Sequence, residues 1–398
     1  MNGAYRAEAD ALDAQILSVI RARRAENFDE LALRIFAHQL RYNKPYAHYC
    51  GRLGVTLDAM PESWDRIPPV PAAAFKEAEL CTFDPAQAEL VFRTSGTTAG
   101  SSGTHYMENA QLYDAALLAG FYDRFLVEPS RPLRYLLFVP NPAENADSSL
   151  GYMMKRVAEH YGDGAPAWYV EGATIAFDRF VHDVRGLQAA RAPVFLGATA
   201  FALVQLLEAL RARDLDRFEL PAGSFIMETG GFKGRTRNVD RAELYGALEQ
   251  TFAVPQSSIV SEYGMTELSS QYYGAPFDVA RRPSIPQGGS IPHHDNPIPH
   301  HDNPIPHHDN SIPHHDKKKV APPWLRSYAV DIDGKKLPDG VIGALVHVDL
   351  ANRSSCVAVQ TEDLGAVVED GIVLIGRERG AELRGCSLDA ESLRVASR

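Results

Sequence analysis

The chain has 398 residues, 45% of them hydrophobic, with a formal net charge of -11 at pH 7. A chain of this size buries roughly three quarters of the surface its unfolded form exposes, enough for one large domain with an appendage or for two domains. The acidic balance comes without a basic stripe, which argues against a nucleic-acid partner, and no apolar run reaches the ~20 residues of a membrane span.

In chain order, residues 8–40 carry apolar side chains at helical spacing: Leu12, Ile16, Val19 and Ile20, then Leu31, Leu33, Ile35, Phe36 and Leu40. A proline-rich turn over 63–80 leads to a short helix. A strand at 88–93 then runs into the glycine-rich stretch TSGTTAGSSGT, with a helix over 109–126 beyond it. Strands at 134–139, 166–170, 192–197, 224–228 and 257–261 alternate with helices at 148–160, 199–212 and 239–252. This alternation predicts an α/β fold with a substantially parallel sheet. In such sheets ligands sit at the carboxyl ends of the strands. Three strands end in unusual loops, at 94–104, 229–234 and 262–268, and the active site is expected there.

Residues 281–319 break the pattern. His-His-Asp recurs at 293–295, 300–302, 307–309 and 314–316 and holds eight of the fourteen histidines. Clustered His and Asp suit a metal-binding arm. A segment with so much proline and so few apolar residues cannot offset its ordering entropy, so a disordered insertion is the expectation. It separates an α/β body, 1–280, from a β-rich part, 320–398, marked by GALVHVDL, CVAVQ and GAVVEDGIVLIG.

The chemistry-bearing residues lie in short segments. Thr94, Ser95, Gly96, Thr97, Thr98, Gly100 and Ser101 combine hydroxyls with glycines that let backbone amides approach an anion. The Gly-Lys-Ser/Thr ending of a Walker A is missing, and no lysine occurs between Lys76 and Lys155. Tyr263, Gly264, Thr266 and Glu267 place a ring, a glycine, a hydroxyl and a carboxylate together. A nucleotide site can use them for stacking, for phosphate and for Mg²⁺, which favours one or two carboxylates plus phosphates. Gly230 and Gly231 follow a strand, Thr361-Glu362-Asp363-Leu364-Gly365 is read as a turn, and Gly376-Arg377-Glu378-Arg379-Gly380 as a charged loop. Each of these three is bland alone.

In order, TSGTTAG, TGG, EYGMTE, TEDLG and GRERG resemble the adenylate-forming superfamily, and within it the acyl-protein synthetases of the LuxE type, over most of residues 60–395 apart from the His-rich insertion. The resemblance implies a mixed α/β large domain with a small β-rich C-terminal portion completing the nucleotide site. The activity it implies is activation of a carboxylic acid, a long-chain fatty acid in the LuxE type, by ATP and Mg²⁺. Acyl transfer to a thiol and then to a partner reductase or other acceptor follows. By motif, Thr94 through Ser101 would hold the β- and γ-phosphates, and Gly230 and Gly231 would line the adenine pocket. Tyr263 would stack on adenine, Thr266 would touch the α-phosphate and Glu267 would bind Mg²⁺. Asp363 would hold the ribose hydroxyls with help from Arg377.

Two departures stand out. The phosphate loop lacks the superfamily lysine. Roughly twenty residues follow Arg377 and the last lysine is Lys336, so a truncated C-terminal lid without its lysine is expected, as in short members. Cys386, close in sequence to Arg377, Arg379 and Arg384, resembles the LuxE acyl-cysteine in its place twelve residues from the end, and nearby arginines lower a thiol's pKa; the alternative is an inert buried cysteine. The four cysteines, Cys50, Cys81, Cys356 and Cys386, form no CxxC pair. The N-terminus lacks a signal-peptide pattern, so reduced thiols and a cytoplasmic location are expected. The apolar stretches 135–139 and 194–207 suit either an acyl tunnel or ordinary core. Two rivals remain at this stage: an aryl- or acyl-acid adenylating enzyme of secondary metabolism, and a non-catalytic nucleotide- or acyl-binding scaffold.

Overall fold

The computed structural model describes residues 3–94, 102–126, 133–172, 174–215, 217–230, 241–274 and 318–377. The chain opens with α1 (Gly3–Ala22), α2 (Phe28–Tyr42) and α3 (Lys44–Arg52). α2 buries Phe28, Leu31, Ala32, Ile35, Phe36 and Leu40, one stripe at helical spacing, with Asp29 and Glu30 in its first turn and Arg41 in its last. Asn43 ends α2 and caps α3 by accepting from the Tyr46 amide at 3.2 Å.

The short strand β1 (Val70–Pro71) precedes the hairpin of β2 (Leu90–Arg93) and β3 (Thr104–Met107). An alternating series then builds the body: α4 (Gln111–Phe125), β4 (Arg134–Pro140), α5 (Ser149–Tyr161), β5 (Ala167–Glu171), β6 (Thr174–Ile175), α6 (Phe177–Ala190), β7 (Val194–Thr199), α7 (Ala200–Arg211), β8 (Phe225–Thr229), α8 (Arg241–Phe252) and β9 (Ile259–Tyr263). After β10 (Tyr272–Gly274) and β11 (Lys319–Val320), the antiparallel strands β12 (Leu325–Val330), β13 (Gly343–Asp349), β14 (Ala358–Val368) and β15 (Gly371–Arg377) follow.

One mixed sheet runs β12-β13-β14-β15-β11-β10-β9-β8-β7-β4-β5-β6, with β1 added parallel to β14. β9, β8, β7, β4 and β5 are mutually parallel, as the alternation predicts. Helices cover both faces of this part, so its strands are apolar on both sides. Along β4, Tyr135, Leu137 and Val139 face α4 and α5 with Phe121, Met154 and Val157, whereas Leu136 and Phe138 face α6, α7 and α8 with Phe180, Leu203 and Leu248. The stretches 135–139 and 194–207 thus pack largely as core. Each fully buried Leu or Phe side chain contributes ~1.5–3 kcal/mol.

The antiparallel end is covered by α1–α3. Ile16, Phe36 and Tyr46 share one apolar cluster with Trp324, Val346, Val348 and Val359. A buried ion pair accompanies it. Arg353 grips Asp13 of α1 with two bonds of 2.7 and 2.8 Å and reaches Glu108 at 2.8 Å. Chain start and β-rich end are therefore packed into one interior.

Two sequence expectations need correction. The glycine-rich stretch does not run from strand to helix: β3 intervenes and folds back on β2, because Thr104–Met107 alternates and buries His105 and Met107. Thr361-Glu362-Asp363-Leu364-Gly365 is no turn but lies within β14, with an irregularity in pairing at Leu364/Gly365. No helix among the described residues is long and apolar enough to cross a membrane.

Candidate active site

β8 and β9 are parallel neighbours, so their carboxyl ends lie side by side with Thr229 opposite Glu262. The Thr229 hydroxyl donates to Glu262 Oε2. Gly230 follows at φ +73, a backbone conformation that favours glycine. A Cβ at Gly264 would stand 2.5 Å from Glu262 Oε1, so this glycine makes room for the carboxylate. Burial raises the Glu262 pKa to about 7; the Thr229 bond and the Lys319 charge oppose the rise and Glu228 adds to it. Lys319, on β11 and itself buried, donates to Ser261 Oγ. Glu228 accepts from the Tyr245 hydroxyl at 3.0 Å and pairs with Arg241 at 3.4 Å.

Tyr263 closes β9 and points its hydroxyl toward the antiparallel strands. It donates to Asp363 Oδ2 at 2.9 Å and lies 3.3 Å from His347 Nε2. Two motif residues a hundred positions apart therefore touch directly. The Asp363 amide donates to Thr361 Oγ1 at 3.1 Å, and Arg377 is the cross-strand register partner of Asp363.

The turn after β9 carries Thr266 and Glu267, and it is held from two sides. His105 Nδ1 lies 2.7 Å from the Thr266 carbonyl oxygen. Asn352 donates to the Glu267 carbonyl at 2.8 Å and accepts from Ser269 Oγ at 2.6 Å. Asp349 accepts from the Ser269 amide and from Ser270 Oγ at 3.0 and 2.8 Å. Burial pushes the Asp349 pKa up to about 6, against these bonds. Glu267 is 7% exposed.

The β2–β3 pairing sets Phe92 opposite His105 and Arg93 opposite Thr104, at the two ends of the glycine-rich stretch. Thr94 closes the base of the segment: its amide donates to the Gly103 carbonyl at 2.9 Å and its Oγ1 accepts from the Gly103 amide at 2.8 Å. The base thus stands beside the Thr266 turn. Arg93 pairs with Asp147 at 2.9 Å, and burial holds His105 neutral by lowering its pKa to about 4.

Ser95, Gly96, Thr97, Thr98, Gly100, Ser101, Gly231, Cys386 and the His-His-Asp repeat lie outside the described residues. Thr94, Gly230, Tyr263, Gly264, Thr266, Glu267 and Asp363 fall around one region where β8, β9, β14 and the β2–β3 hairpin meet. Thr229, the first residue of TGG, joins them, as do His347, Asn352, Asp349 and Lys319, which carry no local sequence signal. Glu262 was visible inside EYGMTE but carries no role by motif. Among the described residues no group of three or more His, Cys, Asp or Glu side chains is placed to hold a metal. A magnesium ion at this site would be held by Glu267 together with phosphate oxygens, a donor set that suits this cation.

The family model for acyl-protein synthetase, LuxE, matches residues 5–281. The chain belongs to the LuxE acyl-protein synthetase family. No curated protein matches it. Among solved structures, ATP-bound MatB from Rhodopseudomonas palustris is similar at 16% identity and a TM-score of 0.46, over 74% of this chain and 49% of that one. The amide bond synthetase McbA from Marinactinospora thermotolerans is similar at 18% identity and a TM-score of 0.47, over 82% and 57%. This LuxE-family chain spans about half the length of the structures it matches.

Proposed function

We propose that this LuxE-family chain activates a carboxylic acid with MgATP and passes the acyl group to a thiol. A carboxylate oxygen attacks the α-phosphorus, pyrophosphate leaves, and an acyl-adenylate forms. A thiolate then attacks the acyl carbon, the bond to AMP breaks, and a thioester results. The observation that carries this reading is the meeting of Tyr263 with Asp363, while His105 ties the base of the hydroxyl-rich loop to Thr266.

In this reading Tyr263 stacks on adenine beside Gly230 and Gly231, Asp363 and Arg377 hold the ribose, and Thr266 contacts the α-phosphate. Thr94 through Ser101 hold the β- and γ-phosphates. Glu267 holds magnesium, which neutralises phosphate charge when bound. Holding the carboxylate in line with phosphorus supplies ~7–11 kcal/mol when orientation is well realised. The acid is a long-chain fatty acid, the class the LuxE resemblance implies, and Cys386 is the acyl-accepting thiol, serving a partner acceptor. The α/β body over 1–280 and the β-rich part over 320–398 supply opposite walls of the nucleotide site.

Acid-dependent ATP–pyrophosphate exchange across fatty, aryl and short acids tests the activity. Exchange with long-chain fatty acids is expected. Exchange with aryl acids alone would reassign the substrate, and nucleotide binding without exchange across the panel would leave a scaffold. Mass spectrometry after incubation with MgATP and the active acid is expected to find the acyl adduct on Cys386; an undiminished adduct on Cys386→Ser would remove this residue from the scheme.

A further inference from the structure

Five polar side chains from five different strands form a connected chain that ends on Asp363. His347 on β13 lies at its centre, fully buried. Its Nε2 is 3.3 Å from the Tyr263 hydroxyl of β9, and its Nδ1 is 2.8 Å from both Tyr272 of β10 and Ser327 of β12. The Tyr272 and Ser327 hydroxyls also bond to each other.

The direction of this chain follows from counting protons. A phenol has one proton, and Tyr263 gives it to Asp363 Oδ2 at 2.9 Å. Toward His347 the phenol oxygen therefore accepts, so Nε2 carries the hydrogen. A neutral imidazole then has Nδ1 as its acceptor, with the Tyr272 and Ser327 hydroxyls both 2.8 Å away; because these two also bond to each other, one donates to Nδ1 and the other to its neighbour. Neutrality agrees with burial, which lowers the His347 pKa to about 4 against the opposing pull of Asp363. The donors run one way, from Tyr272 and Ser327 through His347 and Tyr263 to the carboxylate. Bonds aligned in this manner reinforce one another.

We propose that His347 is a positioning residue for nucleotide selection, acting through Tyr263 to orient the Asp363 carboxylate toward a ribose diol. This rests on the assignment of Asp363 to the ribose. His347 touches no nucleotide atom in this scheme. It sets the plane of the Tyr263 ring and the orientation of the carboxylate beyond it, so that preference for a ribose over a deoxyribose depends on a residue one layer behind the site.

Equilibrium binding of ATP and of 2′-deoxy-ATP to the full chain, in magnesium and without any acid, tests the proposal independently of which acid is used. Wild type is expected to prefer ATP by about tenfold, the scale of one hydrogen bond to a charged group. Asp363→Ala is expected to abolish the preference. His347→Phe keeps ring volume but removes both nitrogens, and is expected to lose most of it. His347→Gln, whose amide can donate from the Nε2 position, is expected to restore it. Tyr263→Phe is expected to match His347→Phe, with no further loss in the double variant; if a His347→Phe chain fails to fold, Tyr263→Phe and His347→Gln carry the test. Loss of preference in Asp363→Ala but not in His347→Phe or Tyr263→Phe would overturn the role of His347. An unchanged preference in Asp363→Ala would instead overturn the ribose assignment beneath it.

Discussion

His38 lies in the interior against Tyr5 and Tyr42, with ring centroids 5.3 and 4.9 Å away, and neither of its nitrogens has a hydrogen-bond partner. Glu8 Oε1 is 3.7 Å from Nδ1. Burial, reinforced by the charges of Arg353 and Arg41, lowers the His38 pKa to about 3. The sign follows directly: the unfolded chain takes up a proton near pH 6.5 and the folded chain does not, so stability present at neutral pH is lost as pH falls below 6.5. His38→Phe keeps the ring contacts and removes the titration. Relative to wild type, this variant is expected to gain about 2 kcal/mol between pH 7 and pH 5. Urea unfolding of both chains at the two pH values measures it, and an unchanged difference would show that His38 is already protonated in the fold.

At the level of elements, the turn after β9 is hydrogen-bonded from other parts of the chain. Asn352 donates to the carbonyls of Glu267 and Cys356 and accepts from Ser269. Asn352→Ala would remove these three buried bonds, at about 1–3 kcal/mol of stability. Because Glu267 moves with its carbonyl, acid-dependent exchange is expected to fall about 10–100-fold under conditions where the variant remains folded. Exchange that tracks the folded fraction alone would make Asn352 merely structural. Such supports were not legible beforehand. The apolar strands β4 and β7 and the stripe of α2 announce themselves locally, and so do the hydroxyl, glycine and carboxylate clusters of the site. His105 meets Thr266, and Asn352 meets Glu267, across separations of 161 and 85 residues, and no local pattern encodes such a pairing. β3 was missed for a related reason: four residues beside a glycine run carry little periodicity, and only pairing with β2 makes them a strand. α6 was legible and overlooked, since Phe177, Phe180, Val181 and Val184 recur at helical spacing.

Across the whole molecule, Arg353 joins the two ends of the chain. Its guanidinium binds Asp13 from 340 residues away and Glu108 from 245. Glu108 also accepts from Tyr5 at 2.9 Å and pairs with Arg6 at 3.2 Å. Removing the cation alone leaves two buried carboxylates, so Arg353→Met is expected to cost about 3–5 kcal/mol. Denaturant unfolding checks this, and a loss below about 1 kcal/mol would mean that water reaches the pair. The variant is also expected to loosen α1 first, visible as faster amide exchange over Gly3–Ala22 than elsewhere.

β10 ends at Gly274 and β11 begins at Lys319, and these two residues are Cα partners in adjacent strands. Departure and return occur at a single doorway in the sheet, so the fold does not measure how much polypeptide is threaded between them. Replacing residues 281–316 with a brief Gly-Ser bridge is expected to leave the melting temperature and ATP affinity unaltered, provided Lys319 still reaches Ser261. A cargo grafted at this doorway would likewise be tethered without a seam in the sheet. The passage is permissive to whatever evolution or an engineer hangs from it, while the lysine on its threshold is not.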